Sequence, residues 1–253
     1  MNISVDPTLM VAFLFATTRC GAWLAFAPPF KGAVPAKIRA GLAVGLGMVL
    51  APRLAATGKL PTTNTVGLIV GSFYQVAIGV ALAMLAAVLF AAAQSAGGMI
   101  DAFAALTGAQ LFDPTTKSTD GPMGRFYSTM AMLVLLATNG HLILIAGLIR
   151  SFDAAPIGGL HLDRLGALLT HDVGEFMIAA LQIGAPILAA LFITDVLLGL
   201  ATRAAPKLNV LALGFGAKSL VLLMLGGAAV PLLPLVLHSL VGDMVKSMTA
   251  LVR

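Results

Sequence analysis

Four ionisable side chains stand singly inside long aliphatic runs: Arg19, Asp101, His141 and Asp195. Such groups are the raw material of a proton or ion path, because histidine titrates near neutral pH and intramembrane carboxylates bind protons or cations. Arg19 with Asp195 or Asp101 is a candidate internal ion pair; the alternative is that Arg19 extends its stem toward an interface. One charge at mid-helix costs roughly 2.5–3.5 kcal/mol on the membrane-insertion scale, while each Leu or Ile returns about 0.3–0.6 kcal/mol. Each apolar helix therefore tolerates one charge, provided that it faces protein, water or an opposite charge. His141, following Asn139-Gly140, reads as a hydrogen-bonded structural residue ahead of a proton relay.

Other groupings carry less chemistry. His171 and Glu175 are four residues apart and share a helix face, but two ligands do not complete a zinc site. With Asp172 they suit a solvated helix start, where acidic groups complement the exposed N–H groups. Gly214-Phe215-Gly216-Ala217-Lys218-Ser219 approaches a phosphate loop, yet Ala217 occupies a required glycine position and no strand precedes it. No hydroxyl, base and orienting group form a recognisable triad. The residues thus yield no catalytic set, no metal set and no cofactor motif, and the expectation is a non-enzymatic protein.

The elements that must position these residues follow from composition. Of 253 residues, 59% are hydrophobic and 10% charged, whereas soluble domains carry roughly 25% charged residues. This is an integral-membrane, all-α pattern. The net charge of +5 is too small and scattered for nucleic acid and serves better as a topology signal. The single cysteine, Cys20, excludes an internal disulfide and reads as a small buried apolar residue. Ala25-Phe26-Ala27 mimics a cleavage site, but Asp6 and Arg19 contradict a signal peptide, so the N-terminal segment is expected to be retained.

Six apolar regions stand out: Leu9–Pro28, Ile38–Ala51, Val66–Leu106, Phe126–Ile149, Phe176–Ala201 and Leu208–Leu240. A span needs about 20 residues, so the second is short and the third and sixth are overlong. Breaks are expected at Gln94–Gly98 and at Gly226-Gly227, because glycine and proline interrupt helices. Irregular backbone at membrane depth must be covered by protein or reached by water, which implies partners. Lys31, Lys37 and Arg39, then Arg203 and Lys207, then Lys246 and Arg253 mark an inside face. The connection Ser151–His171, with Asp153 and Asp163, marks the outside. Gly41 with Gly45, and Gly67 with Gly71, have the spacing of close helix contacts. Between Leu106 and Arg125, Gly108, Asp113-Pro114 and Gly121-Pro122 interrupt the helix beside apolar Leu111-Phe112. A loop with such a tip can close a narrow pore by excluding water.

In order and spacing these exceptions resemble the FliR/SctT family of type III export-gate subunits. The resemblance runs from Arg19 to about Pro234. It rests on Arg19 with Pro28, Pro35 and Arg39, Pro52, Ala96-Gly97, Asp113-Pro114, Asn139-Gly140-His141, Ser151-Phe152 and Pro156-Ile157-Gly158. Ala185-Pro186, Asp195, and Arg203 through Pro206-Lys207-Leu208-Asn209-Val210 to Gly214 complete it.

What the resemblance implies is a non-enzymatic subunit of the flagellar export gate, in the bacterial inner membrane at the flagellar basal body. FliP-like and FliQ-like subunits would form a hetero-oligomeric helical ring with it, FlhB-like and FlhA-like components would be its partners, and unfolded export substrates would pass through. No cofactor is implied. The fold would combine a FliP-like part (about 1–170) with a FliQ-like part (about 171–253), its hairpins lifted from the plane that hydropathy suggests. The plug would fall on Leu106, Gly108, Leu111, Phe112, Asp113 and Pro114. Arg19, Asp101, Asn139, Gly140, His141 and Asp195 would be internal polar or packing positions, and Arg203, Pro206, Lys207 and Asn209 a turn motif. Gly98 departs from the family, which has an acid after Ala-Gly; Asp101 is the candidate substitute, on a neighbouring helix face. The plug is also poorer in aromatics than the family's. The competing readings are an injectisome homologue and a stand-alone proton-coupled transporter using Arg19, Asp195 and His141.

Overall fold

The computed structural model describes residues 6–31, 34–56, 64–104, 121–154, 162–205 and 209–229. These are helical nearly throughout: α1 Pro7–Phe26, α2 Pro28–Lys31, α3 Ala36–Ala56, α4 Thr65–Phe103, α5 Pro122–Ala137, α6 Gly140–Ala154, α7 Leu162–Ala204 and α8 Val210–Ala229. Among the described residues, four helical stretches are long and apolar enough to cross a membrane: Pro7–Phe26, Ala36–Ala56, Thr65–Phe103 and Phe176–Ala204. The bent pair α5 and α6 makes a fifth if taken as one broken span. Asp6 starts the series, its Oδ1 accepting the Thr8 N–H at 2.9 Å, with Pro7 in the first turn. Hydrogen bonding from Thr8, through its side chain first and its main-chain N–H second, holds the Asp6 carboxyl below the usual carboxylate range, and the N–H bond satisfies an amide that has no intrahelical acceptor.

Several boundaries correct the sequence reading. The second apolar region is not short, because α3 carries Pro52 inside a 21-residue helix. The third is not broken at Gln94–Gly98: α4 runs through it for 39 residues. Gly97 serves there as a point of close approach rather than a breaker. The fourth is two helices, parted at Thr138-Asn139. The connection placed at Ser151–His171 is helical from Leu162, so Asp172 and Glu175 lie well inside α7 rather than at its start. Pro186 also lies inside α7. The break expected at Gly226-Gly227 is absent, since α8 continues to Ala229.

The chain divides into two compact units. The first comprises residues 1–88, 139–173 and 241–253. Its centre is α1, on which Phe15, Ala16, Arg19, Cys20 and Trp23 are fully buried. Helix α3 lies along α1, with Gly47 so close that an added Cβ would stand 2.9 Å from the Thr17 Cα. On α4, Gly71 meets the Phe15 ring, and a Cβ at Gly79 would lie 2.6 Å from the Arg19 carbonyl oxygen. Gly71, Gln75 and Gly79 are spaced one turn apart and form one face. Close approach replaces hydrophobic transfer as the packing force where lipid is the solvent. Among the described residues, Gly41 and Gly45 face open space, and Gly47 makes the close approach instead.

The second unit comprises residues 89–138 and 174–240. Its core joins Phe90, Ala93, Ala96 and Ile100 of α4 to Tyr127, Ala131 and Leu135 of α5 and Ala180, Ile187 and Leu191 of α7. Small residues again set the spacing. A Cβ at Gly97 would lie 2.7 Å from the Gly124 Cα, and one at Gly184 would sit 3.7 Å from the Ala96 carbonyl oxygen.

Candidate functional site

In the contacts described within each unit, the buried charges meet main-chain groups, a hydroxyl and a side-chain amide. Arg19, fully buried, donates through Nε to Gln75 Oε1 at 2.6 Å. Its Nη1 donates to the Ser151 main-chain oxygen at 2.7 Å and to Ser151 Oγ at 3.2 Å. The Phe152 ring lies beneath the guanidinium, 4.3 Å from centroid to Cζ. Ser151 Oγ donates onward to the Leu148 oxygen at 2.6 Å. Ser151 lies in the last turn of α6, whose carbonyls have no intrahelical donors. A guanidinium suits this place: its planar fork serves two directions and its face stacks on an aromatic ring.

Asp101 is equally buried, near the end of α4. Its Oδ1 accepts the Met123 N–H at 3.0 Å and its Oδ2 the Gly124 N–H at 2.9 Å. These are the second and third residues of α5. Gly121, at the cap position, has no side chain to offer, so the cap arrives from another helix. A Cβ at Gly121 would overlap the carboxylate. The glycine is therefore a condition for the cap. A capping side chain contributes roughly 0.5–2 kcal/mol, and a carboxylate also complements the positive end of the helix dipole. Asp101 thus has a definite role as the cap of α5.

Asp195, on α7, pairs with Lys218 of α8 at 2.7 Å. The carboxylate is 44% exposed and the ammonium 15%. Lys218 Nζ also donates at 2.8 Å to the main-chain oxygen of Phe103, the last residue of α4. In the first unit, Arg39 Nη1 reaches the Ala25 oxygen in the last turn of α1 at 3.2 Å. One rule covers the contacts to main-chain groups. Cations Arg19, Arg39 and Lys218 meet helix C-termini and the anion Asp101 meets a helix N-terminus, the signs that the helix dipole favours. Helix ends thus supply partial countercharges for Arg19, Arg39, Lys218 and Asp101, whereas Asp195 pairs with Lys218 directly.

The remaining positions serve the breaks. Asn139 has φ 56°, the left-handed conformation that Asn tolerates better than other residues with a Cβ. Thr138 Oγ1 donates to the Val134 oxygen at 2.8 Å, closing α5, and the Asn139 oxygen accepts from Leu142 at 3.0 Å, opening α6. His141 departs from expectation: its Nδ1 is buried without a hydrogen-bond partner among the described residues. Cys20 is buried and free, as read from the sequence. Arg203 is exposed in the last turn of α7, and Asn209 caps α8 with its carbonyl on the Leu213 N–H at 3.1 Å. Pro206, Lys207 and the expected plug from Leu106 to Pro114 lie outside the described residues. Among the described residues no three His, Cys, Asp or Glu side chains gather as a metal site. The sequence reading missed Lys218, which it met only in the rejected phosphate loop. The available signal was a lone cation on one apolar helix, one turn-motif away from Asp195 on another.

Residues 10–244 match the family model described as bacterial export proteins, family 1. The chain is 30% identical over 223 residues to the flagellar biosynthetic protein FliR of Bacillus subtilis (strain 168), covering 86% of this chain and 85% of that one. The FliR of Escherichia coli (strain K12) is 29% identical over 234 residues, covering 92% and 86%. The Yop proteins translocation protein T of Yersinia pestis is 24% identical over 186 residues, covering 72% and 70%.

Proposed function

Since this chain belongs to the bacterial export proteins, family 1, and is FliR-like over most of its length, we propose that it is a non-enzymatic subunit of the flagellar type III export gate. It forms part of a channel for unfolded export substrates in the bacterial inner membrane, at the flagellar basal body. FliP-like and FliQ-like subunits complete the helical ring, with FlhB-like and FlhA-like components beside it. Residues of about 1–170 form the FliP-like part and about 171–253 the FliQ-like part. Leu106 to Pro114, with Leu111 and Phe112 as the tip, act as the plug.

One observation carries this reading. Phe192, Ile193, Leu197 and Leu200 on α7, and Leu223 and Met224 on α8, are more than half exposed, while Arg19, Arg39, Lys218 and Asp101 hold helix ends. Faces this apolar require lipid or neighbouring subunits. Purification through a tag on this chain, followed by electron microscopy, tests it. A ring containing FliP-like and FliQ-like chains is expected; a self-sufficient, transport-active monomer or homo-oligomer would favour the transporter reading instead. Co-purification with injectisome components would move the assignment to the SctT branch.

A further inference from the structure

We infer that Lys218 and Asp101 act together as positioning residues which fix the C-terminal end of α4 and the N-terminal end of α5, the two ends bounding residues 105–120. The inference rests on the plug reading for its functional meaning, but its geometry stands within the second unit alone.

Both residues act at the same short stretch of α4. Asp101 and Phe103 are two residues apart, and each belongs to one of the two contacts. The Asp101 carboxylate holds the Met123 and Gly124 N–H groups at 3.0 and 2.9 Å, which ties the first turn of α5 to the last turn of α4. Lys218 holds the Phe103 oxygen at 2.8 Å and Asp195 at 2.7 Å, tying that same last turn to α7 and α8. Glycines allow the approach: Gly97 lies against the Met123 and Gly124 backbone, and Gly121 makes room for the carboxylate. Three connections thus converge on residues 101–103. Charge–dipole contacts hold the exits of the two helices. An ammonium at an orphan carbonyl and a carboxylate at orphan amides are each the favoured sign. With both in place, the chain leaves α4 and re-enters α5 from fixed points, and the expected plug is presented from a rigid frame. Lys218 is in this respect more than the counterion of Asp195, since a counterion alone would have no need of the Phe103 carbonyl.

Spin labels at Phe103→Cys and Phe126→Cys, both exposed positions, report the two ends in the purified export-gate complex. A narrow distance distribution is expected with native Lys218, and a distinctly broader one with Lys218→Met or Asp101→Asn. Lys218→Arg should restore the narrow distribution. The double exchange Asp195→Lys with Lys218→Asp should not, because it sets a carboxylate against the Phe103 carbonyl. Restoration by that exchange, or an unbroadened distribution in Lys218→Met, would overturn the inference. If Lys218→Met does not assemble, Lys218→Gln carries the measurement, with intermediate broadening expected and native width contradicting. Small-ion leakage separates this inference from the plug reading. Leakage through Lys218→Met and through Leu111→Gly/Phe112→Gly supports both. A tight Leu111→Gly/Phe112→Gly channel with broadened labels removes the plug reading and leaves the positioning role. A leaky one beside a tight, narrow Lys218→Met complex removes the positioning role and leaves the plug.

Discussion

The ammonium of Lys218 lies 2.8 Å from the main-chain oxygen of Phe103, where α4 ends. Arg19 meets α6 and Arg39 meets α1 in the same sense, and Asp101 meets α5 in the opposite one. In water such contacts contribute about 0.3–1 kcal/mol, rising to about 2 kcal/mol in partly buried geometry. In apolar surroundings they also answer the desolvation of both partners, which is why the chain keeps charges where insertion alone disfavours them.

Arg19→Lys is not a conservative change here. A lysine keeps the charge but loses the fork that serves Gln75 and Ser151 and the face that stacks on Phe152. One buried hydrogen bond and the ring contact go, at roughly 1–3 kcal/mol. A fall in the thermal midpoint of the purified complex, with Arg19→Met falling further, is the expected outcome. Equal stability of Arg19→Lys and the native protein would count against the geometry.

Three neighbouring glycines should respond differently to alanine. Gly97→Ala and Gly121→Ala push a methyl group into α5 backbone and into the Asp101 carboxylate respectively, whereas Gly98 faces open space. The first two should sharply reduce recovery of assembled complex. Gly98→Ala should leave it at the native level or slightly above, since alanine favours the helix by about 1 kcal/mol. Comparing the three yields from one membrane preparation checks this.

The break at Asn139 offers a backbone test. Its φ of 56° suits glycine and excludes β-branched side chains. Asn139→Gly should be tolerated, while Asn139→Val should cost about 1–2 kcal/mol and appear as a lowered thermal midpoint. Identical midpoints for the two would show that the left-handed turn is not required.

Leu111→Gly with Phe112→Gly removes the bulky tip of the expected plug. Increased small-ion conductance with unchanged subunit composition is the outcome that the assignment requires. Conductance indistinguishable from native would remove it.

Much of this was legible from residue types alone. Helix class, apolar spans and the family followed from Arg19, Asp195, Asn139-Gly140-His141 and the turn before Asn209, because each polar exception sits in an otherwise aliphatic run. Helix ends were less legible. Gly97-Gly98 reads as a breaker by propensity, but the decisive fact is which backbone approaches it, and that is tertiary. Asp101 was named as a candidate, but the groups it accepts from are main-chain amides, which carry no sequence signature. For the same reason Lys218 was missed, and the Ser151 carbonyl was not foreseen as a partner of Arg19. A search for opposite charges finds carboxylates and overlooks carbonyls at helix ends.

The most direct measurement of charge acting on helix ends is amide hydrogen exchange across the first turn of α5 in the purified complex. With native Asp101, Met123 and Gly124 should be protected. Asp101→Ala should speed their exchange by about two- to thirtyfold, as loss of a cap of roughly 0.5–2 kcal/mol requires, with Asp101→Asn between, because one acceptor oxygen remains. Unchanged protection at Met123 and Gly124 in Asp101→Ala would contradict the account at its centre.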